Sequence, residues 1–305
     1  MSPLNDVLVS VCLPVRNGAS RLLTVAQSVL AQDHENLELI ISDNASTDDT
    51  EEVCRALAAE DSRVVYHRNP ENIGLMNNFI SAMHHARGTF FRWVGDDDWL
   101  EPNCISRCLE VYATDERLVL VTTGAQFIGE DDEITATREY DGARLLSDDP
   151  IERLTEMLRL LNSSFLLIDP LYGLARREAI AWIPRRNMLR EDQIFAAKMA
   201  LAGPWGHINE QLYRRGFRDE RRPELARRLG VPAWHARAAN TLQGRELLRW
   251  VSEGAQLEPE QRRAARAAVR KWYVERQQIV LARRGRRIAQ VAGLVPKRDT
   301  THQPG

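Results

Sequence analysis

Phe90-Phe91-Arg92-Trp93-Val94-Gly95-Asp96-Asp97-Asp98-Trp99-Leu100 is the stretch on which the reading of this chain turns. Residues 89–94 form a short apolar run with the composition of a buried strand. Three adjacent carboxylates follow it. They repel one another, so grouping them is unfavourable unless a cation resides there. A cluster of hard oxygens suits Mg²⁺ or Mn²⁺, held by one or two carboxylates together with the phosphates of a substrate. The plainer reading is a solvated acidic turn. The place of the triplet, directly past a buried strand, favours the functional one.

On either side the pattern repeats. Residues 7–13, 37–42, 63–68 and 118–123 also read as strands, and 20–32, 48–59, 75–86 and 103–112 as helices. This alternation predicts an α/β protein with a doubly wound parallel sheet covered on both faces. Such sheets bind ligands beyond the carboxyl ends of their strands, which directs attention to residues 14–17, 43–49, 68–74 and 95–98. After Gly124 the alternation fades into acidic turns at 130–133 and 147–150, a helix over 151–161 and a mostly extended 165–175. A helix at 192–201 and a strand at 207–214 follow, and from Pro223 the chain reads as helical.

The 305 residues, 44 % hydrophobic and 28 % charged, suffice for a sizeable core. The net charge of -2 conceals an asymmetry. Residues 261–298 carry twelve Lys/Arg against the single acid Glu275, a local +11 that leaves the remainder at -13. A basic tail on an acidic body points to an anionic contact. Cys12, Cys54, Cys104 and Cys108 lack zinc-site spacing and read as buried thiols. Neither a signal-peptide pattern nor an apolar run of spanning length occurs, so the expected location is the cytoplasm.

Asp43 is the first residue past the second expected strand, where a carboxylate can accept the imide hydrogen of a pyrimidine base. The plainer reading of residues 43–48 is a polar loop in which Ser46, Thr47 or Asp48 caps the next helix. Five pieces then occur in order: Pro14-Val15-Arg16-Asn17, residues 43–48, Asn72-Ile73-Gly74, Asp97-Asp98-Trp99-Leu100 and Glu191-Asp192. Together, over residues 7–218, they resemble the inverting family 2 glycosyltransferases of the GT-A fold.

The resemblance implies a nucleotide-binding mixed sheet over residues 1–220, with a nucleotide-sugar half (1–125) and an acceptor half (126–220). A helical basic extension, 221–305, completes the chain. It implies metal-dependent, inverting transfer of a sugar from a nucleoside-diphosphate donor, UDP or dTDP, to a hydroxyl acceptor. The cofactor would be Mn²⁺ or Mg²⁺, and the acceptor a saccharide or lipid-linked sugar in cell-surface polysaccharide or glycolipid assembly. Pro14, Arg16, Asn17, Asp43, Asn72 and Gly74 would line the nucleotide site, with Asp96 facing ribose or phosphate. Asp97 and Asp98 would hold the metal, and Asp192 would be the general base, with Glu191 its nearest rival. Arg215 and Arg218 would reach the departing diphosphate or serve as ordinary surface charges.

The chain departs from the family pattern in places. Gly95 stands where the family often has the first Asp of Asp-x-Asp-Asp, and Asn77-Asn78 where many members have Arg-Asn. The absence of Gln-x-x-Arg-Trp argues against a processive polymer synthase. In the tail, Val269, Trp272 and Tyr273, and again Ile288, Val291, Ala292 and Val295, lie at helical spacing among arginines. Such a helix suits the inner face of an anionic membrane, or else packs on the body or a second subunit. Nucleic acid is not an expected partner. A sugar nucleotidyltransferase should carry a Gly-rich, Arg/Lys-bearing loop after strand one, which residues 14–18 are not. A non-enzymatic nucleotide or polyanion binder is the remaining alternative.

Overall fold

The first strand, β1 (Val9–Val15), is buried at all seven positions and forms the hub of the sheet. In a computed structural model describing residues 4, 6–129, 133–163, 167–216 and 222–291, it pairs in parallel with β2 (Leu37–Asp43) and β4 (Phe90–Trp93). The outer neighbour of β2 is β3 (Val64–Arg68), also parallel. Strands sandwiched between helices bury both faces and therefore lose apolar–polar alternation. Between them run α1 (Ala19–Leu30), α2 (Thr50–Glu60) and α3 (Leu75–His84), followed after β4 by α4 (Cys104–Thr114).

Beyond β4 the sheet departs from the parallel pattern that the alternation alone predicts and is mixed, as the resemblance implies. The strands β5 (Asp98–Leu100), β6 (Leu120–Ile128), β7 (Ile134–Ala136), β8 (Leu174–Arg176) and β9 (Trp205–Gly216) complete the order β3-β2-β1-β4-β8-β6-β9-β5, with β7 on β6. The expected fifth strand, now β6, does not lie against β4. The three residues of β8 come between them, antiparallel to both. A strand this short leaves no periodicity to detect, so a mixed sheet looks parallel from periodicity alone.

The first strand also outlasts its expected stop at Pro14. Cys12 and Pro14 direct their backbone polar groups toward the β4 side. There Cys12 O accepts from Val94 N, and the β4 pairing ends at Cys12. A proline one step further has no ladder bond to lose.

Asn78, buried on α3, ties the parallel layers together. Its Nδ2 donates to Ser42 O at 2.8 Å and Val15 O at 3.3 Å. Its Oδ1 accepts from Ser42 Oγ at 2.8 Å and Asn69 Nδ2 at 2.9 Å. One amide thus satisfies the last turns of β1 and β2.

The other half adds α5 (Pro150–Ser163), the short α6 (Arg177–Ile180), α7 (Glu191–Ala202), α8 (Arg222–Arg228), α9 (Trp234–Arg249) and α10 (Pro259–Val291). The 33 residues of α10 reach about 50 Å at 1.5 Å per residue. Ala265, Val269 and Trp272 are buried in the same core as the sheet. Arg276 Nη1 donates to Leu161 O of α5 at 2.9 Å. These positions of the tail therefore pack on the body and Trp272 faces inward, whereas residues 281–286 are all exposed. The side chains of Arg287, Ile288, Val291, Ala292 and Val295 lie outside the described residues, as does Arg218. The four cysteines are buried free thiols, as expected. Among the described residues no helix is long and apolar enough to cross a membrane.

Replacing Asn78 by Ala removes four hydrogen bonds and strands buried partners. At about 1 kcal/mol net per bond, with orphaned groups adding to the loss, the variant should be about 3–5 kcal/mol less stable. Urea unfolding followed by circular dichroism measures this, and a change under 1 kcal/mol would contradict the role given to Asn78.

Candidate active site

The loops after β1 and β2 are built as one unit. Asn17 and Ala45 both adopt left-handed backbone angles, each at φ 53°, and the loops they turn are cross-linked. Asn17 N donates to Ser46 Oγ at 2.9 Å, while Asn17 Oδ1 accepts from Thr47 N at 2.9 Å. Gly18 N donates to Thr50 Oγ1 at 3.0 Å. Asp43 anchors the second loop from inside. Its Oδ1 accepts from Ser46 N and Ser46 Oγ, at 2.9 and 2.5 Å, and its Oδ2 from Tyr66 OH at 2.9 Å. Arg68 Nε stands 3.5 Å from the same carboxylate, which is completely buried.

The third loop joins through asparagines. Asn44 Nδ2 donates to Asn72 Oδ1 at 2.8 Å, which also accepts from Gly74 N at 3.0 Å. Gly74, at φ 86°, then starts α3. Pro14, Asn17, Asp43, Asn72 and Gly74 therefore meet at one edge of the sheet, with Arg16 exposed beside them.

The aspartate triplet divides into three environments. Asp96 forms an ion pair with Arg21 of α1. A Cβ on Gly18 would stand 2.5 Å from Val15 Cγ2 and 3.0 Å from Asp96 Oδ2, so the first loop comes this close only because residue 18 has no side chain. Asp97 is exposed, and its carboxylate lies where a Cβ on Gly216 would come within 2.7 Å. Asp98 is buried. Its Oδ2 accepts from Gly95 N at 2.6 Å, whereas Oδ1 is buried without a hydrogen-bond partner. Burial pushes the Asp98 carboxyl up to about 7, against the pull of Arg215.

Arg215 lies opposite Asp98 in the β5–β9 register. Its Nη1 donates to Asp169 Oδ2 at 2.8 Å, and its guanidinium covers the Tyr172 ring at 4.4 Å from the centroid. Tyr213 OH donates to the same Asp169 oxygen at 3.3 Å. Arg21, Asp169, Tyr172 and Tyr213 were not singled out in the sequence. Tyr213 and Arg215 sit two apart on one strand face, the single hint available; Asp169 lies in a loop without any pattern.

Glu191 and Asp192 open α7 in opposite environments. Glu191 is buried and bidentate to Arg185, with Nε 3.0 Å from both carboxylate oxygens. That guanidinium is wedged over Trp93 at 4.9 Å and Phe195 at 4.7 Å. Asp192 is exposed. Phe195 packs edge-on against Trp93 of β4, with centroids 5.9 Å apart, which fixes the start of α7 beside the strand that leads into the triplet. Arg190, just before the helix, has a left-handed φ of 64°, rare for a residue with a side chain.

The model for glycosyl transferase family 2 matches residues 10–180, more than half of the chain. The chain belongs to glycosyl transferase family 2. This glycosyltransferase is 24 % identical over 206 residues to the putative glycosyltransferase EpsH of Bacillus subtilis, covering 67 % of its own length and 54 % of EpsH. It is 32 % identical over 136 residues to the hyaluronan synthase of Pasteurella multocida, across 44 % of this chain and 14 % of that one. It thus spans about half or less of the length of these relatives.

Among solved structures it resembles S. aureus TarS 1–349 in complex with UDP-GlcNAc, with a TM-score of 0.60 and 15 % identity over 87 % of this chain and 72 % of TarS. It also resembles the mannosyltransferase PcManGT of Pyrobaculum calidifontis in complex with GDP-Man and Mn²⁺. There the TM-score is 0.51 and the identity 16 %, over 89 % and 84 % of the two chains. The expected GT-A fold, with helices after the sheet, is what the chain adopts.

The raised Asp98 carboxyl sets a stability signature. A carboxyl raised above its unfolded value favours the fold while protonated, and that contribution is lost as pH climbs through about 7. Metal-free protein should therefore lose thermal stability between pH 5.5 and pH 8, and Asp98→Asn should lose less over that range. A difference of several degrees is expected, since 1 kcal/mol is worth roughly 2–4 °C at about this chain size. Identical melting shifts for the two proteins would show that Asp98 titrates normally.

Proposed function

We propose that this glycosyltransferase moves a sugar from a nucleoside-diphosphate donor to a hydroxyl acceptor by a single inverting displacement that depends on Mn²⁺ or Mg²⁺. The observation that carries the reading is the unpartnered, buried Asp98 Oδ1 beside exposed Asp97 at the carboxyl end of β4. A buried polar atom without a partner is costly, and a carboxylate oxygen is a fitting ligand for a hard cation. Among the described residues no three acidic, His or Cys side chains converge on one point. Two carboxylates plus donor phosphates suit a cation that is shared with its substrate. When bound, it would neutralise charge on the departing diphosphate. The Mn²⁺ in the PcManGT complex supports the same choice.

The chain's own residues supply the rest. Asp192, exposed at the start of α7, takes the acceptor proton, and Glu191 keeps that helix start in place through Arg185. Arg215 presents positive charge to the diphosphate from the strand opposite Asp98; Arg218 is assigned the same task. Asp96, held by Arg21, borders the ribose. Arg16 and Asn17 flank the nucleoside, with Pro14, Asn72 and Gly74 shaping its walls.

Asp43 acts through its loop: a uracil or thymine reaching its carboxylate takes the place of the Tyr66 hydroxyl. UDP or dTDP donors follow from that contact. Residues 1–220 carry catalysis and the C-terminal helices brace them. The acceptor is a saccharide or a lipid-linked sugar of the cell surface. The setting is the cytoplasmic face of the membrane, which Arg283, Arg284 and Arg286 of α10 contact.

Melting curves with UDP, with and without Mn²⁺, test the donor site. Wild type should gain stability from the pair, and Asp97→Asn should lose the Mn²⁺-dependent part; an unchanged Mn²⁺ effect in the variant would remove Asp97 from the site. The base is tested by sugar transfer or donor hydrolysis. Asp192→Asn should retain donor affinity and turn over about 10²–10⁴ times more slowly. Glu191→Gln should instead destabilise the fold by about 3–5 kcal/mol, because it breaks a buried ion pair. Near-normal turnover in Asp192→Asn would overturn the mechanism.

A further inference from the structure

A second recess lies between the segment leading into α7 and α9. It is a cavity of about 710 Å³ between residues 186–188 and the inner face of α9. Behind it α9 is tied to α7 by Gln243 Nε2, which donates to Gln193 Oε1 at 3.1 Å, one residue beyond Asp192. Met188 and Leu242 give it an apolar part.

The polar part is strongly cationic. Glu246, buried in the wall, lies 3.0 Å from Lys198 Nζ, 2.7 Å from Arg249 Nη2 and 3.5 Å from Arg186 Nε. Burial works against its charge, but Arg249 and Lys198 hold the carboxyl below its usual range. Lys198 is buried behind the wall, with Nζ also donating to Pro184 O at 2.7 Å, so the recess itself is lined by Arg186, Arg245 and Arg249 against the single carboxylate of Glu246. Arg245 is exposed, Arg249 has a further acid, Glu253, at 3.9 Å, and Glu191, held by Arg185, also lies within electrostatic reach of Lys198. His235 adds a second sign of an unmet partner, since its Nδ1 is buried without a hydrogen bond. Beside it Trp234 is 56 % exposed, its ring set edge to face with the His235 ring at 4.2 Å between centroids.

We propose that this recess binds a phosphate group of the acceptor, so that the acceptor is a phosphorylated saccharide or polyol. Guanidinium forks match the tetrahedral oxyanion of a phosphate, which offers oxygens to several of them at once. A single carboxylate would satisfy one fork and leave the others. The exposed part of Trp234, next to His235, offers an apolar contact to the ring that carries the phosphate. From this anchor a hydroxyl is presented at the first turn of α7, where Asp192 stands. The assignment of the bound group to an acceptor rests on the transferase reading above; the phosphate site itself does not.

Calorimetry on the full chain separates the two. With UDP and Mn²⁺ present to fill the donor site, glycerol phosphate is titrated into wild type, Arg245→Gln and Arg245→Lys, with glycerol and galacturonate as neutral and carboxylate controls. Glycerol phosphate should bind wild type and the controls should not. Arg245→Gln should weaken it at least tenfold, Arg245→Lys less so, and UDP affinity should be the same in all three. Unchanged glycerol phosphate affinity in Arg245→Gln, or equal binding of galacturonate, would overturn the phosphate site. If wild type fails to bind UDP with Mn²⁺ yet still binds glycerol phosphate in an Arg245-dependent way, the donor reading falls, and the acceptor assignment with it.

Discussion

β4 releases β1 at Cys12, while β2 stays paired with β1 to Val15. The shape of the site follows from that inequality. The three residues by which β1 outruns β4 open a gap at the carboxyl edge of the sheet, at the point where parallel pairing gives way to antiparallel. The turn carrying Asp96, Asp97 and Asp98 fills the gap and returns as β5 against β9. Crevices of this kind form wherever strand order reverses in an α/β sheet. Here the crevice is narrowed from two directions by backbone, at Gly18 and Gly216. The carboxylates are thus placed by rigid elements, with little left to loop motion.

Charge burial is the second organising theme. Arg185 and Glu191 are both removed from solvent, as are Lys198 and Glu246. Such pairs cost desolvation that their attraction need not recover. Both pairs grip α7, one at its first turn and one in its middle. The aromatic sides of Trp93 and Phe195 complete the grip on Arg185. A helix that carries the aspartate proposed to take the acceptor proton benefits from being immovable.

Much of this was legible in the residues. The βα alternation of the first half depends on local periodicity, and local periodicity is what a sequence displays. The loops after the strands announced themselves through polar residues following apolar runs. What stayed hidden was long-range. β8 is three residues long and gains meaning only from the two strands it separates. Asp169 joins Arg215 across 46 positions of chain, and no spacing rule connects such a pair. Arg21 belongs to no motif, and only the fold sets it against Asp96. By local chemistry Glu191 and Asp192 are indistinguishable as adjacent acids, and only the resemblance favours Asp192. Burial separated them, and burial is a property of the whole molecule.

The arginine-rich end of α10 also bears on how the protein behaves in bulk. Nearly equal and opposite charges sit on a helix about 50 Å long and on the body beneath it, and the overall charge is only -2. With so little net repulsion, the dominant electrostatic quantity is the molecular dipole. In dilute buffer, where the screening length grows to about 30 Å at 0.01 M salt, tail and body of neighbouring molecules attract. Moderate ionic strength shortens that reach to about 10 Å and removes the attraction. Concentrated stocks of this protein should accordingly dissolve better with added salt than without it, the reverse of salting-out.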